Sequence, residues 1–476
     1  MDSRIGKGVV AAAGVAAALV LAYLAVSRPG YFTSMTYIGG LLLLELLVAA
    51  LWLYRRIFFP VVIVTFLLAG VDLPVGGIWT MARWGVLALG ALAGTAIMLK
   101  ERRYSFGIFD ILAFLALLAA GMSAAVSRFA GLSSLKVLSL FLLLTYAASG
   151  VRIAVEGRES RFFTGLLLGC EVFVGVVAGF YLVGKEIMGN PNSLGAVMGV
   201  VAAPVLLWGT LLNQPTFVRR RQLFFFTVAM GLTCISHARA AIVAAFLACG
   251  LLCLCLRRYT MLAQGVVILA ILIASAAILQ PEAFSNTISS INSDVIYKGK
   301  NVSEGLLGSR KSPWQDTMDT IRDHYWFGTG FGTSDTGQDP TENLGKFAST
   351  SLTSTEHGSS YLEIVAWVGV VGVLPFLILL SVLLIKILRA MIWMFRTGNA
   401  SHPAVPLAMV LLAGLLHAAF EDWLFAPGYY LCVFFWSMSF IFVDQVSALP
   451  LQQRSPARWS RSKLASPDLR AAAPSQ

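Results

Sequence analysis

The stretch SSYLEIVAWVGVVGVLPFLILLSVLLIK, residues 359–386, decides the fold class of this protein. Its charged side chains are Glu363 near the start and Lys386 at the end, and the residues between them are overwhelmingly apolar. About 20 such residues in an α-helix cross a hydrocarbon core of roughly 30 Å. The stretch therefore predicts a helix that spans a membrane.

Apolar runs of similar length recur along nearly the whole chain. Hydrophobic residues make up 58% of the 476 residues and charged residues 12%, whereas soluble domains contain about 25% charged residues. We expect an all-α polytopic membrane protein of about 12–14 transmembrane helices, because the runs at 57–71 and 222–236 are short. The candidate spans are 8–27, 37–54, 57–71, 82–99, 108–126, 133–150, 162–183, 190–212, 222–236, 238–256, 261–280, 359–386, 403–420 and 427–446.

The distribution of basic residues predicts the orientation of the spans. The net charge is +11, but Lys and Arg form short clusters between apolar runs, as in loops that fix membrane orientation, so we expect no nucleic-acid binding. The predicted outer connections contain fewer basic residues, among them Arg83 and Lys136, and the predicted inner clusters include Arg55/Arg56, Lys100/Arg102/Arg103 and residues 219–221. Both termini are therefore predicted to lie in the cytoplasm.

This topology divides the chain into four parts. Residues 1–280 are predicted to form transmembrane helices 1–11, and residues 358–448 helices 12–14. Between them, residues 281–357 form one large extracytoplasmic loop. Residues 449–476 are rich in Arg, Ser, Pro and Ala, which predicts a basic, disordered cytoplasmic tail at the anionic inner leaflet.

The long loop contains PWQDTMDTIRDHYW, residues 313–326, which predicts a short amphipathic helix. Pro313 suits the first turn of a helix. Apolar residues then recur at helical spacing, at Trp314, Met318 and Ile321, so we expect this helix to lie against the membrane surface. The following GTGFG, residues 328–332, should end it, and since no strand precedes these glycines they do not indicate a dinucleotide-binding loop.

Two residues of the loop are candidates for chemistry. Arg310 could bind phosphate oxygens through two parallel N–H bonds, and the alternative is a solvated loop cation. His357 lies at the entry to a span, next to Glu356. Imidazole is suited to moving a proton near neutral pH, although a lone loop histidine without any role is the alternative.

Arg239 lies in CISHARAAIVAAF, residues 234–246, with almost no polar loop between two apolar runs. A charge in such a segment costs about 2.5–3.5 kcal/mol on insertion scales, which indicates either a function or an arginine that reaches the headgroups. Lys185, Asn190 and Asn192 precede the eighth candidate span. They could hydrogen-bond a sugar or a headgroup, and a plain helix start explains Asn190 equally well.

A metal site is the weakest of these hypotheses. His417, Glu421 and Asp422 recur at helical spacing, but no further ligand of a suitable type lies near them in sequence. We expect neither a metal nor another cofactor.

Several motifs around the long loop, in this order, resemble the O-antigen ligase and O-antigen polymerase-like family of bacterial membrane glycan transferases. The resemblance covers residues 165–440. The family's commonest residue after the loop histidine is Asn, and Gly358 stands there in this chain. The motifs are GNPNSLGAVMGVVAAP, SHARAAIVAAF, the loop run with Arg310 and Trp314, GTGFG, EHGSSYLEIVAWVGVVG and HAAFEDWLFAPGYYLCVFFW.

The resemblance implies an inverting, metal-independent glycosyltransferase that uses a polyprenyl-diphosphate-linked glycan as donor. Arg239 and Arg310 would neutralise the diphosphate, and His357 would deprotonate or orient the acceptor hydroxyl. The implied acceptor is a lipid A core, another glycan or a protein, and the implied location is the outer face of the bacterial inner membrane, among its lipids. The implied substrate-binding residues are Lys185, Asn190, Asn192, Trp314 and Glu356.

Two other classes of protein fit the same sequence. A transporter or flippase of lipid-linked glycans or other anionic amphiphiles would also need apolar spans and a few cations, but it should place charges or broken helices near the bilayer centre. An inert anchor or assembly factor would tolerate replacement of Arg239, Arg310 and His357.

Overall fold

The computed structural model describes residues 19, 22–24, 26–30, 34–71, 76–101, 106–188, 190–279, 308–333, 357–447 and 449. All regular secondary structure within these residues is helical. Together with the membrane-length helices described below, this confirms the predicted all-α polytopic fold class. Most of the first predicted span, most of the long loop and the basic tail lie outside the described residues.

The described helices follow one another with short connections, except on either side of Gly308–Asp323, where the long loop lies. We number them α1 Met35–Trp52, α2 Tyr54–Ala69, α3 Gly76–Glu101, α4 Ile108–Val126, α5 Ala130–Val155, α6 Glu159–Leu182, α7 Pro191–Leu211, α8 Thr216–Ile235, α9 Arg239–Cys255, α10 Tyr259–Leu279, α11 Gly308–Asp323, α12 Ser360–Thr397, α13 Ala404–Ala418 and α14 Tyr430–Ser447. Helices α5 and α7 each contain a π-helical turn, at Ala147–Val151 and Val197–Ala202.

Seven helices in the described part of the chain are long and apolar enough to cross a membrane: α3 from Ile78 onward, α4, α5, α6, α7, α12 and α14. Helices α7 and α14 lie at the centre of the bundle, since 94% and 83% of their most apolar windows are buried. The outer helices expose large apolar side chains such as Leu374 and Ile385. An exposed apolar surface of this extent fits a hydrocarbon environment.

The helix bounds correct the predicted positions of several basic residues. Arg83 and Lys136 were expected in outer connections, but they lie inside α3 and α5. The basic residues 219–221 were expected in an inner loop and lie in the first turns of α8. Apolar runs underestimate the length of a helix wherever long basic side chains at its ends reach polar surroundings.

Several helices begin at the same end of the bundle, which we call the site end. At the start of α14, the Tyr430 hydroxyl lies 3.4 Å from the carbonyl oxygen of Ser193, at the start of α7. A Cβ on Gly195 would lie 2.5 Å from that of Ala238, so α7 and the start of α9 pack backbone to backbone. The absence of a side chain at Gly195 therefore brings Arg239 close to the start of α7.

Helix α12 is broken near the site end, which the apolar pattern did not predict. Gly369 has φ 66° and ψ −179°, so the helical hydrogen bonds are interrupted there. The segment after α11 fills this break: the N–H groups of Thr329 and Gly330 donate to carbonyls of α12 at 3.0 and 3.1 Å, and those of Val370 and Val371 donate to carbonyls of the loop at 2.9 and 3.3 Å. These four bonds attach the loop to the span.

Two glycines allow this close approach. A Cβ on Gly328 would lie 2.3 Å from the carbonyl oxygen of Trp367, and one on Gly369 would lie 2.3 Å from that of Trp326. Phe331 is fully buried beside the junction, and the Ser133 hydroxyl donates to its carbonyl at 2.9 Å. The loop after α11 is therefore held against the bundle, and α11 is held with it.

The opposite end of the bundle carries an ion cluster around the buried Arg152, with Asp110 buried and Asp444 exposed. Nη1 of Arg152 donates to Oδ1 of Asp110 at 2.6 Å, and its Nε lies 2.8 Å from Oδ2 of Asp444. Phe440 covers the guanidinium, with its ring centroid 5.1 Å away. The cluster ties together helices α4, α5 and α14.

Candidate functional site

His357 lies in a buried position immediately before α12. Its backbone N–H donates to Oδ2 of Asp422 at 3.1 Å, and its ring stands edge-on to Trp367 with centroids 6.2 Å apart. Nδ1 lies 3.0 Å from Oγ1 of Thr317 on α11. Nε2 is buried and has no hydrogen-bond partner among the described residues.

The contact with Thr317 assigns the tautomer of His357. The Thr317 hydroxyl donates its single hydrogen to the carbonyl of Pro313 at 2.7 Å. Oγ1 can therefore only accept from the imidazole, so Nδ1 carries the proton and Nε2 presents a lone pair. Burial lowers the pKa of His357, and the charge of Asp422 opposes this effect. The neutral imidazole is thus the favoured form near pH 7, as a general base requires.

Gly358 adopts a left-handed conformation with φ 66°. Its carbonyl accepts from Nε1 of Trp314 at 3.1 Å. A Cβ on Gly358 would lie 3.3 Å from that nitrogen and 3.4 Å from Nη1 of Arg310. The left-handed region favours Gly and tolerates Asn better than most residues. Gly358 can therefore keep the backbone conformation that Asn would adopt in the resembled family, but it places no side chain beside Arg310.

Arg310 is buried and pairs with Glu421. It lies in the first turn of α11, which begins at Gly308, five residues earlier than the predicted start at Pro313. The prediction placed Arg310 before this helix because Pro is preferred in a first turn. Nη2 of Arg310 contacts Oε1 of Glu421, and that oxygen also accepts from Nδ2 of Asn192 at 3.4 Å.

The backbone around Glu421 is held by Ser360, at the start of α12. The hydroxyl of Ser360 donates to the carbonyl of Glu421 at 2.7 Å and accepts from the N–H groups of Trp423 and Leu424, each at 3.0 Å. Ser360 is completely buried. The pairing carboxylate of Arg310 thus has a fixed position relative to His357, three residues before Ser360.

Arg239 is the first residue of α9, half-buried at the site end. It is close enough to Arg310 for the two positive charges to repel each other. The guanidinium groups of Arg239 and Arg310 thus lie near each other; among the described residues, Glu421 pairs with Arg310, and Asp422 contacts the backbone of His357. Two neighbouring guanidinium groups are suited to bind an anion with several charged oxygens.

The remaining predicted substrate-binding residues fall into three groups. Trp314 stacks on Phe420, with ring centroids 6.5 Å apart, next to Arg310. Lys185 and Asn190 line a cavity of about 270 Å³ with apolar side chains of α6 to α8, together with His237. Oδ1 of Asn190 accepts from the N–H of Asn192 at 2.9 Å, so Asn190 caps α7, as the plain helix-start interpretation expected. Glu356 lies outside the described residues.

Sequence reasoning missed Thr317 and the pairing role of Glu421. Thr317 is 1% exposed on α11, where the predicted apolar stripe pointed to Met318, which is exposed. A threonine four residues after Pro313 gives a weak signal, because its hydroxyl can bond that carbonyl in any helix. Glu421 is 111 residues from Arg310 in the chain, and nothing local in the sequence joins the two.

His417 and Asp422 also lie near this cluster, but they do not form a metal site with Glu421. Nδ1 of His417 accepts from Nε1 of Trp423 at 2.8 Å, so His417 has the tautomer opposite to that of His357. Among the described residues, no group of three or more His, Cys, Asp or Glu side chains could hold a metal ion.

Residues 222–377 match a family model described as O-Antigen ligase. This region lies within the 165–440 stretch of the resemblance, and it contains Arg239, Arg310 and His357. Asn192 and Glu421 lie on either side of it. No curated protein matches the chain.

Proposed function

We propose, because residues 222–377 match a family model described as O-Antigen ligase, that the protein transfers a polyprenyl-diphosphate-linked glycan to an acceptor hydroxyl. The observation that carries this proposal is the tautomer of His357. Its bare, buried Nε2 is suited to take a proton, and the guanidinium of Arg310, which is suited to hold a diphosphate, lies 3.4 Å from where a Cβ on the neighbouring Gly358 would be.

The reaction has two needs, and the cluster supplies a residue for each. Nε2 of His357 takes the proton of the acceptor hydroxyl while that oxygen attacks the anomeric carbon of the donor. The bond between this carbon and the diphosphate oxygen breaks, and its electron pair leaves with the diphosphate. Attack from the face opposite the leaving group inverts the anomeric centre. Thr317 keeps the Nε2 lone pair available because it holds the proton on Nδ1.

Arg239 and Arg310 stabilise the negative charge that develops on the leaving diphosphate. They are already close together in the structure, so little reorganisation is needed when the anion binds. Glu421 and Asn192 orient Arg310 from its other side. No step of this mechanism requires a metal ion.

Further substrate contacts follow from the positions of the predicted binding residues. Trp314 lies beside Arg310 and is placed to contact a sugar ring, and Lys185 and Asn190 are placed at a cavity whose apolar side suits a lipid-linked substrate. The acceptor is a lipid A core, another glycan or a protein. The site faces the outer side of the bacterial inner membrane, and both termini lie in the cytoplasm.

The test is glycan banding in a deletion strain of the source organism, complemented at matched membrane levels. Arg239→Ala, Arg310→Ala and His357→Ala should fail to restore the glycan product, and lipid-linked donor should accumulate on the outer face. Arg322→Ala is the matched control, because Arg322 lies on the same helix as Arg310 but is exposed and, among the described residues, pairs with Asp319 alone.

Normal banding with all three variants would contradict the proposal. Accumulation of the donor on the inner face would instead support the transporter alternative.

A further inference from the structure

Three arginines are buried in the described part of the chain: Arg83, Arg152 and Arg310, at 6%, 7% and 8% exposure. Arg152 and Arg310 are paired with carboxylates. Arg83 contacts no carboxylate among the described residues; the hydrogen bond it makes there is to a backbone carbonyl. Because a guanidinium stays protonated in proteins, Arg83 brings a full positive charge into the bundle without a described counter-ion, which is costly.

One nitrogen of the Arg83 guanidinium lacks a hydrogen-bond acceptor among the described residues. Nη1 donates to the carbonyl of Gly428 at 2.7 Å, and the rings of Trp84 and Phe66 lie 5.2 and 6.0 Å from Cζ. Nε is buried and has no acceptor among the described residues. The Nε and Nη2 edge matches the two oxygens of a phosphate or carboxylate, a geometry that a lysine cannot reproduce.

Arg83 adjoins the candidate site through the segment before α14. Gly428, which accepts from Arg83, is followed by Tyr429, whose hydroxyl donates to Oγ of Ser193 at 3.2 Å. Ser193 follows Asn192, which contacts the partner of Arg310. The charge of Glu421 acts on Tyr429 as well. A series of neighbouring hydroxyl and aromatic groups therefore connects the Arg310 cluster with Arg83. Sites that bind sugars combine such groups.

We propose that Arg83 binds an oxyanion, phosphate or carboxylate, carried by a glycan substrate, at a position distinct from the donor diphosphate at Arg239 and Arg310. This inference rests on the proposed function, since it assigns a second point of substrate contact to the same site. Arg83 thereby selects glycans that carry an acidic group over neutral glycans of the same size.

The test uses the full-length protein in nanodiscs of neutral phosphatidylcholine, with Arg239→Gln and Arg310→Gln to remove the other two cations. Glucose 1-phosphate should raise the thermal denaturation temperature of this protein in a saturable manner. Adding Arg83→Gln should raise the half-saturating concentration about tenfold or more, the effect of losing a charge-assisted pair of hydrogen bonds. Arg83→Lys, which keeps the charge but loses the planar geometry, should also weaken binding.

Arg128→Gln is the matched control, because Arg128 is an exposed arginine over the ring of Phe129, with Cζ 5.5 Å from the centroid. It should leave the half-saturating concentration unchanged. An unchanged value for Arg83→Gln would overturn the inference. Stabilisation through Arg83 by phosphatidylglycerol nanodiscs but not by glucose 1-phosphate would assign the oxyanion to a lipid headgroup and overturn it as well.

A further experiment uses Asp72, the acidic residue closest to Arg83 in sequence. If Asp72→Asn reverses the thermal destabilisation caused by Arg83→Gln, Arg83 has an internal counter-ion and the inference fails. Additive effects of the two substitutions support it.

The outcome is separable from that of the proposed function. Loss of glycan product with His357→Ala, together with unchanged glucose 1-phosphate binding by Arg83→Gln, would remove only this inference. Retained product with His357→Ala would remove the proposed function, whatever Arg83 binds.

Discussion

The two ends of the bundle hold buried arginines in opposite ways. At one end, Arg152 lies between the carboxylates of Asp110 and Asp444, all within spanning helices. At the site end, Arg310 lies near a second guanidinium, Arg239, and pairs with the carboxylate of Glu421. The first cluster surrounds one guanidinium with two carboxylates, whereas the second brings two guanidinium groups close to each other.

This difference separates a structural ion cluster from a binding site. Arg152 has enough carboxylate oxygens around it to compensate its burial, so nothing further needs to bind there. In our proposal, Arg239 and Arg310 bind an anion, and the nearby His357 supplies a base. The site end also depends on a loop, because α11 carries Arg310 and Thr317 and is attached to α12 by the junction at Gly369.

The largest effect on stability is expected from breaking the structural cluster. Asp110→Asn leaves Arg152 short of one buried carboxylate and should lower the free energy of unfolding by about 3 kcal/mol.

Glu421→Gln should cost less stability, because the amide oxygen still accepts from Arg310 and Asn192, but it should lower the transfer rate per folded molecule. Thermal denaturation in detergent and transfer activity measure the two effects. A stable Asp110→Asn protein without transfer activity would contradict the assignment of that cluster as structural.

Detaching the loop should come next. Gly398→Ala places a Cβ at φ 64° in open space, so it reports backbone strain alone, about 1–2 kcal/mol. Gly369→Ala adds the clash with the carbonyl of Trp326 and the greater strain of a backbone at φ 66° and ψ −179°, a region essentially restricted to glycine. We expect it to lose about 1–3 kcal/mol more together with transfer activity. Limited proteolysis of the loop measures its release. Equal effects of the two substitutions would show that the junction does not hold the loop.

A smaller effect is expected from Thr317→Val, which removes the acceptor of the His357 Nδ1 proton. The transfer rate should fall about tenfold, and Thr317→Ser should restore it. Thr320→Val is the matched control, since the Thr320 hydroxyl bonds the carbonyl four residues earlier, that of Asp316, at 2.9 Å. A Thr317→Val protein with the wild-type rate would contradict the assigned tautomer.

The smallest effect is a shift in pH dependence. Burial lowers the pKa of His357, and the charge of Asp422 opposes this effect. As the pH is lowered, the transfer rate should therefore fall only below about 6.5, the pKa of a free histidine. Asp422→Asn keeps an acceptor for the His357 N–H but removes the charge, and should move this acid limb to lower pH. A shift to higher pH would contradict the electrostatic role of Asp422.

The same shift also affects stability. Folding favours the neutral form of His357, since its pKa is lower in the folded protein. Its contribution is therefore complete above the unfolded pKa and is lost as the pH falls through the lowered value.

Several helix bounds could be predicted from the sequence because their signal is local. Helix α4 begins and ends where its apolar run does, at 108 and 126, and Asn190 and Pro191 begin α7 as cap chemistry predicts. The break at Gly369 was missed because a glycine within an apolar run looks the same in a continuous helix. Its conformation depends on a loop that is distant in sequence.

The cations and the base of the candidate site could be proposed from the sequence, but their partners could not. Arg239, Arg310 and His357 are conspicuous because each is a polar residue next to a long apolar run or in the long loop. Glu421 and Thr317 are ordinary residues whose roles arise only from tertiary contacts. The tautomer of His357 depends on a hydrogen bond between Thr317 and Pro313, which requires the fold to be known.

The most direct measurement is the release of polyprenyl diphosphate by purified protein. Lipid-linked glycan isolated from the deletion strain would be supplied in liposomes together with membranes that contain the acceptor. We expect wild type and Arg322→Ala to release the diphosphate lipid and form product. His357→Ala should be slower by about 10²–10⁴-fold, the usual contribution of a general base. A folded His357→Ala protein that releases the lipid at the wild-type rate would contradict the role assigned to His357.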